Sequence, residues 1–388
     1  MQPQDYHIYC TVTNDLSFDQ RMQRICGSMA RAGYQVTLVG RTTANSLPLD
    51  HQPFEQVRLN VSPERGKRFY WAYNKALYRF LQTKAKAHQQ PGATHMAICA
   101  IDLDSIVPCL LISKKYQLPR LYDAHELFTE LTEVKRRPWI AAIWKAIEAW
   151  CVPQFQNGYT VNQFIADEFS RRYKVKYAVV RNMPMPAGNT FFEALPAALS
   201  LPERFFLYQG AVNEGRAFDE LIAAMKETSL PLVIAGDGNY MEQVKSLIAA
   251  HGVADKVFLT GHLKPAVLRV LTQRAFAGIT LFNNSGLNQY YSLANRFFDY
   301  VQAGKPQVCV RYPEYEHLNQ QHEVAVLVNE VAPGEISQAM NLLAKDAVLY
   351  ETLAGQSTVA ATVWNWTEEE KNMLQVWANC LQEPLKQY

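Results

Sequence analysis

The sequence predicts an α/β protein with one parallel sheet in each of two domains. Three observations carry this. The chain has 388 residues, enough for two hydrophobic cores. Its opening alternates: 7–13 is β-rich, 19–33 sets Met22, Ile25, Met29 and Ala30 on one helical face, and 34–40 is β-rich again. A Pro- and Ala-rich stretch without period, 184–202, then separates this half from a second series of strands that begins at 205–209. The predicted layout is a domain over 1–185, a linker over 186–203, a second domain over 204–365 and a terminal helix over 366–388.

Composition narrows the function classes. The chain is 48% hydrophobic and 19% charged, ordinary values for a soluble globular protein. A net charge of +2 argues against nucleic acid as a partner. The seven cysteines show no C-x-x-C and no metal-ligand spacing, so reduced thiols in a cytoplasmic protein are expected. The N-terminus has no basic region followed by an apolar run, and no apolar segment approaches the roughly 20 residues that span a bilayer.

In the first half, the loop 14–19 follows the first strand, at the end where open α/β sheets bind ligands. It carries no G-x-G-x-x-G, which counts against a dinucleotide site. Asp19 and Arg21 face either a substrate or only a helix cap and a surface ion pair. Residues 62–86 and 135–150 interleave bases with aromatics, among them Arg65, Arg68, Trp71, Lys75, Lys135, Trp139, Trp144 and Trp150. That pattern suits a membrane interface, or helices with an aromatic core face and a basic wet face. The strand 96–101 runs into Asp102-Leu103-Asp104-Ser105. D-x-D can hold a divalent cation, but three letters are as readily a turn. Leu121–Asp123 reads as a strand end that delivers His125 and Glu126 to the ligand-facing side of the sheet. Glu148 reads as structural. Further strands are expected at 158–162 and 179–182.

In the second half, the strand 205–209 enters the turn Gly210-Ala211-Val212-Asn213-Glu214-Gly215-Arg216, ahead of a helix bearing Phe218, Leu221, Ile222 and Met225. A guanidinium at a helix start opposes the macrodipole unless an anion sits there too, and its planar fork fits phosphate oxygens. The strand 232–235 meets Gly236-Asp237-Gly238, where absent side chains let backbone approach a flat ligand. Met241 denies this turn the third glycine of a dinucleotide fingerprint. The strand 256–260 leads to Gly261, His262 and Leu263. The strand 277–282 leads into a polar loop, 283–291, that contains Asn288, Gln289, Tyr290 and Tyr291. Residues 292–306, SLANRFFDYVQAGKP, read as a loop, a helix capped by Asn295 with Phe297, Phe298, Tyr300 and Val301 inward, and a stop at Gly304. Asp299 is then a carboxylate able to accept from sugar hydroxyls. Strands at 307–310 and 324–328, a helix at 336–343, and Trp364 and Trp366 as packing anchors complete the reading.

The 292–306 segment resembles the donor-binding signature of retaining GT-B glycosyltransferases of family 4, also called glycosyltransferase group 1. In that pattern an acidic residue, seven residues and a second acid precede a G-x-P turn. Asp299, Gly304 and Pro306 match; the first acid falls on Tyr291. DLSFDQR at 15–21, GYQVTLVGR at 33–41 and YDAHE at 122–126 are similar to a bacterial surface-glycan subgroup. The resemblance implies two Rossmann-like domains whose parallel sheets face a central cleft, with a nucleoside diphosphate sugar held mainly on the second. It assigns Gly210, Gly215, Gly236, Gly238, Gly261, Leu263, Asn288, Tyr291, Ser292 and Asn295 to the donor. Asp299 goes to its ribose, Arg216 to its diphosphate at the family's lysine position, and His125 to its sugar. The family's arginine position is Ala211. Asp19, Arg21, Asp104 and Glu126 fall on the acceptor side. The resemblance implies transfer with retention, no metal and no cofactor. It also implies a glycan or lipid-linked acceptor, and together with the basic aromatic stretches 62–86 and 135–150 this leads to an expected peripheral contact with the cytoplasmic face of the inner membrane. Two other readings stay open: a nucleotide-sugar epimerase on the same fold, and a binding protein that has lost catalysis, for which Tyr291 and Ala211 speak.

Overall fold

A computed structural model describes residues 2–17, 19–64, 66–186, 188, 193–196 and 199–382. Phe18, Arg65, part of the expected linker and residues 383–388 lie outside the described residues. The chain divides into two compact units, Met1–Asn182 with Glu369–Tyr388, and Met183–Glu368.

The first unit holds seven parallel strands: β1 (Tyr6–Thr11), β2 (Gln35–Arg41), β3 (Glu55–Leu59), β4 (His95–Ile101), β5 (Arg120–Ala124), β6 (Asn157–Thr160) and β7 (Ala178–Val179). Their order is β3-β2-β1-β4-β5-β6-β7, so the strand order reverses between β1 and β4. Strands inside such a sheet are covered on both faces and read as apolar runs, as β1 and β4 do. The edge strand β3 escapes sequence reading because Glu55, Gln56 and Arg58 interrupt it. β7 is only two residues long, shorter than 179–182 suggests, because the chain turns toward Pro184. Helix Gln20–Arg31 starts on Asp19, whose carboxylate accepts from the Met22 N–H, and buries Met22, Ile25, Cys26 and Met29. The returning C-terminal segment is tied in by the Tyr6 hydroxyl donating to Leu381 O and by Arg31 paired with Glu370.

The second unit holds β8 (Phe206–Gln209), β9 (Leu232–Ala235), β10 (Val257–Gly261), β11 (Ala277–Thr280), β12 (Gln307–Val310) and β13 (Ala325–Val328). The order is β10-β9-β8-β11-β12-β13, again parallel, with reversal between β8 and β11. Those two strands pair only at Ala277 with Phe206 and at Gly278 with Leu207. Beyond that point the Tyr300 hydroxyl donates to Leu207 O at 2.7 Å and accepts from the Gln209 N–H at 3.2 Å. It makes the contacts that a further strand residue would make. Trp364 and Trp366 are buried, the anchors the sequence suggests.

Helix Asn295–Gln302 corrects one expectation. Asn295 is its first helical residue and does not cap it; Ala294 is the cap, and its N–H donates to the Tyr315 hydroxyl at 2.9 Å. A tertiary contact thus sets the helix start where a local side chain was expected to. The helix ends as read, with Gly304 at φ +65° and its N–H on Val301 O. Burying Phe297, Phe298, Tyr300 and Val301 leaves Asp299 half-exposed.

A Cβ at Gly278 would lie 2.2 Å from the Tyr300 ring. Gly278→Ala is expected to destabilise the second unit by about 1–3 kcal/mol, read as a lowered urea midpoint. An unchanged midpoint would mean that the ring has room to move.

Candidate active site

In the second unit, the loops after β8, β9 and β11 converge at the reversal point. Gly236, at φ +155°, packs on the turn after β8: a Cβ there would sit 1.8 Å from Gly210 O. A Cβ on Gly238 would sit 2.3 Å from Val212 O. These two glycines are needed for loop to meet loop, whatever else approaches them. Gly210 and Gly215, by contrast, face open space, with only Arg296 Nη1 at 3.8 Å and Ser285 Oγ at 3.9 Å near a Cβ. The Asn283 N–H donates to Gly215 O, and its side chain donates to Glu220, so the turn after β8 and the loop after β11 form one wall. Above that wall the Arg216 guanidinium lies 4.6 Å from the Phe282 ring centre.

Asp299 is placed by the same strand end. Its Oδ2 accepts from the Gln209 amide at 2.9 Å, and Gln209 in turn accepts from Thr272 at 2.7 Å. Ser292 donates its hydroxyl to Gln289 O, which makes its side chain a brace of the loop. Tyr291 is half-buried beside Tyr290, with ring centres 5.4 Å apart. Asn288 lies in the short helix Leu287–Tyr290, and Asn295 is exposed. Gly261 closes β10, and Leu263 packs, partly buried, against the cluster that includes Leu207, Val233 and Tyr300.

In the first unit, four charged side chains meet at the ends of β4 and β5. Asp123 is fully buried and takes Arg21 at 3.0 Å on one oxygen and His125 Nε2 at 3.2 Å on the other. Asp102 holds the opposite side of the ring, with Oδ2 3.2 Å from Nδ1 and Oδ1 accepting the His125 backbone N–H. To reach it, Asp102 adopts φ +55°. Burial works against the charge on His125, but Asp102 and Asp123 outweigh it and hold the ring up to about 10. Burial also opposes ionisation of Asp123, yet Arg21 and His125 keep it below the usual carboxylate range. Asp104, next along, is pushed up to about 7 by burial and by Asp102, while Thr13 donates to it. His125 is therefore an imidazolium at neutral pH, a fixed charge and donor that cannot serve as a base.

Sequence reasoning picked His125, Arg21 and Asp104 and missed Asp102 and Asp123, the carboxylates that organise them. The YDAHE and DLDS motifs contain both, but only the parallel pairing of β4 with β5 makes them neighbours. It also missed Arg296. Asp19 caps its helix and accepts from Asn14, and Glu126 sits half-buried just past β5. Among the described residues, no group of three or more His, Cys, Asp or Glu is arranged to hold a metal ion.

The charged His125 ring should stabilise fully below its ordinary value near 6.5, and that contribution should fade as pH rises through about 10. The stability gap between wild type and His125→Gln is expected to shrink by on the order of 2 kcal/mol between pH 6 and pH 10 in urea unfolding. A gap that does not depend on pH would contradict the imidazolium.

Residues 193–357 match the model of the family described as glycosyl transferases group 1. No curated protein matches the chain. Among solved structures, sucrose-phosphate synthase from Thermosynechococcus elongatus is similar at a TM-score of 0.78 and 16% identity, over 97% of this chain and 99% of that one. HepE from Anabaena, solved in complex with UDP-glucose, gives 0.72 and 12%, over 96% and 99%. WaaG, a glycosyltransferase involved in lipopolysaccharide biosynthesis, gives 0.64 and 12%, over 95% and 99%. At these identities the likeness is one of fold, and it runs the length of both chains. Residues 193–357 thus match the glycosyl transferases group 1 model, and the chain as a whole has the GT-B fold.

Proposed function

We propose that this enzyme takes its sugar from a nucleoside diphosphate sugar and passes it, with retention, to a glycan or lipid-linked acceptor in bacterial polysaccharide or glycoconjugate synthesis. The observation that carries the reading is the wall at the ends of β8 and β11, with Arg216 over Phe282 beside the open faces of Gly210 and Gly215. A diphosphate fits such a place, and the UDP-glucose complex of HepE supports that donor class.

The bond from the anomeric carbon to the β-phosphate oxygen breaks while the acceptor hydroxyl attacks from the same face. The hydroxyl proton passes to the departing phosphate oxygen. Negative charge grows on the diphosphate, where Arg216 meets it; one such donor is worth about 3–4 kcal/mol of barrier. Asp299, held by Gln209, accepts from a ribose hydroxyl. The step uses no metal and no cofactor. With Tyr291 at the first acidic position, the sugar-facing contacts fall to Asn288, Gln289 or Tyr290.

The acceptor reading extends to a cytoplasmic membrane surface. Helix Pro138–Cys151 exposes Trp139, Ile143, Ala146 and Trp150 along one stripe and buries its one acid, Glu148. Helix Lys67–Ala87 contains no acidic residue and exposes Arg68, Lys75 and Arg79 together with Trp71. Tyr70 meets Trp144 edge-on with ring centres 5.3 Å apart, so the two helices are neighbours. Aromatic residues beside bases suit an anionic lipid interface. Among the described residues, no helix is long and apolar enough to cross a membrane.

Calorimetry with UDP, GDP, ADP, CDP and TDP should find one tight ligand. Arg216→Ala should weaken it by roughly tenfold or more while sparing the bare nucleoside; equal losses would refute the clamp. With the matching sugar nucleotide, free nucleoside diphosphate should accumulate. Epimerised sugar without lasting release would overturn the transferase chemistry. Separately, sedimentation with phosphatidylglycerol vesicles should fall at least about threefold in Trp139→Ala/Ile143→Ala/Trp150→Ala, with nucleotide binding intact. Undiminished sedimentation would remove this face from the membrane.

A further inference from the structure

One buried charge in the second unit has no counter-charge. Arg296 is 7% exposed, yet among the described residues no carboxylate pairs with its guanidinium. Nη1 donates to the Tyr208 hydroxyl at 3.4 Å and Nη2 to Leu281 O at 3.3 Å, both long and both neutral. Nε is buried with no partner at all. The group is wedged between two rings, with Tyr208 and Phe282 each 4.6 Å from Cζ. A buried cation held this way is expensive unless something ionic completes it.

Its position is at the turn after β8. A Cβ at Gly210 would meet only Arg296 Nη1, at 3.8 Å, so the guanidinium edge closes the open notch over that glycine. The Tyr208 hydroxyl that accepts from Arg296 donates in turn to Ala211 O at 2.8 Å, tying the guanidinium to the turn after β8. Arg216 stands on the same Phe282 ring, 4.6 Å from its centre. Two guanidinium groups therefore approach one ring, and Arg296 also borders the glycine floor of the notch, where its planar fork suits phosphate oxygens.

We infer that Arg296 is a second phosphate-gripping side chain of the donor site, neutralised by the diphosphate of the bound donor. The inference rests on the donor reading above and adds a residue outside the expected clamp. Arg296 sits on the helix after β11, yet it reaches the turn where Ala211 presents no charge. The occupant is an inorganic or nucleoside-borne diphosphate.

The test compares wild type, Arg296→Gln and Arg296→Lys. Each is titrated with the nucleoside diphosphate found above, with its nucleoside and with inorganic pyrophosphate, and each is melted without ligand. Arg296→Gln should lose roughly tenfold or more for both diphosphates and little for the nucleoside. Its ligand-free melting temperature should hold or rise, because an unpaired buried charge has been removed. A packing role gives the opposite signs: lower melting and equal losses for all ligands, or none. Either pattern overturns the inference. Should Arg296→Gln fail to fold, Arg296→Lys decides: its point charge without a fork should bind the diphosphates more weakly than wild type, and equal binding overturns the role. If wild type binds no diphosphate, the donor reading falls and takes this inference with it; if wild type binds and the variants match it, this inference falls alone.

Discussion

The Tyr300 hydroxyl, set between Leu207 O and the Gln209 N–H, is the contact on which the second unit's site depends. β8 and β11 must part early if loops are to meet at their ends, and parting leaves backbone groups without a ladder. A phenol that accepts from one group and donates to the other satisfies both, and the sheet can open without an orphaned polar atom. The ring can reach that place only because position 278 has no side chain. With the strand end fixed, the Gln209 amide is aimed at Asp299, and its oxygen is held by Thr272. One hydroxyl therefore connects sheet register to the placement of the carboxylate.

The first unit reaches the same kind of order by charge. Arg21, Asp123, His125 and Asp102 alternate in sign at the ends of β4 and β5, the first two buried and the last two partly exposed. Burial alone would neutralise such groups; alternation lets each pay the desolvation of its neighbour. The left-handed backbone at Asp102 is part of the arrangement, since it turns the carboxylate so that it meets both the ring and the His125 N–H. Asp104, one step outside the alternation, lacks a cation of its own and has its titration pushed up to about 7.

What could be read in the sequence divides along physical lines. Local signals were legible: the βαβ opening, the Asp19 cap, the stop at Gly304, and the inward faces of helix Asn295–Gln302. Apolar runs fixed β4, β9 and β12 to within a residue, because central parallel strands must be covered on both faces. Features set by tertiary contact were not legible. β3 is interrupted by charges, Ala294 takes its cap contact from Tyr315, and Gly236 answers to a carbonyl some 26 positions back at Gly210. The partners of His125 lay inside quoted motifs, but nothing in a linear string says that Asp102 and Asp123 close on one ring.

Arg296 shows why a site is harder to read than a fold. On a helical wheel it is a lone base among aromatics, and the expected place for a base on such a face is the solvent side. Here it is buried, and the two units treat buried charge in opposite ways. In the first unit Arg21, Asp123, His125 and Asp102 answer one another from within, which suits a framework that must keep its shape with or without a ligand. In the second unit Arg296 is answered only by neutral oxygens and ring faces. An internal carboxylate there would have stabilised the empty protein and then competed with any incoming anion. On the donor reading, leaving the charge unanswered would lower the stability of the empty site and raise the gain when a diphosphate arrives, so that part of the binding free energy would be stored in the fold itself.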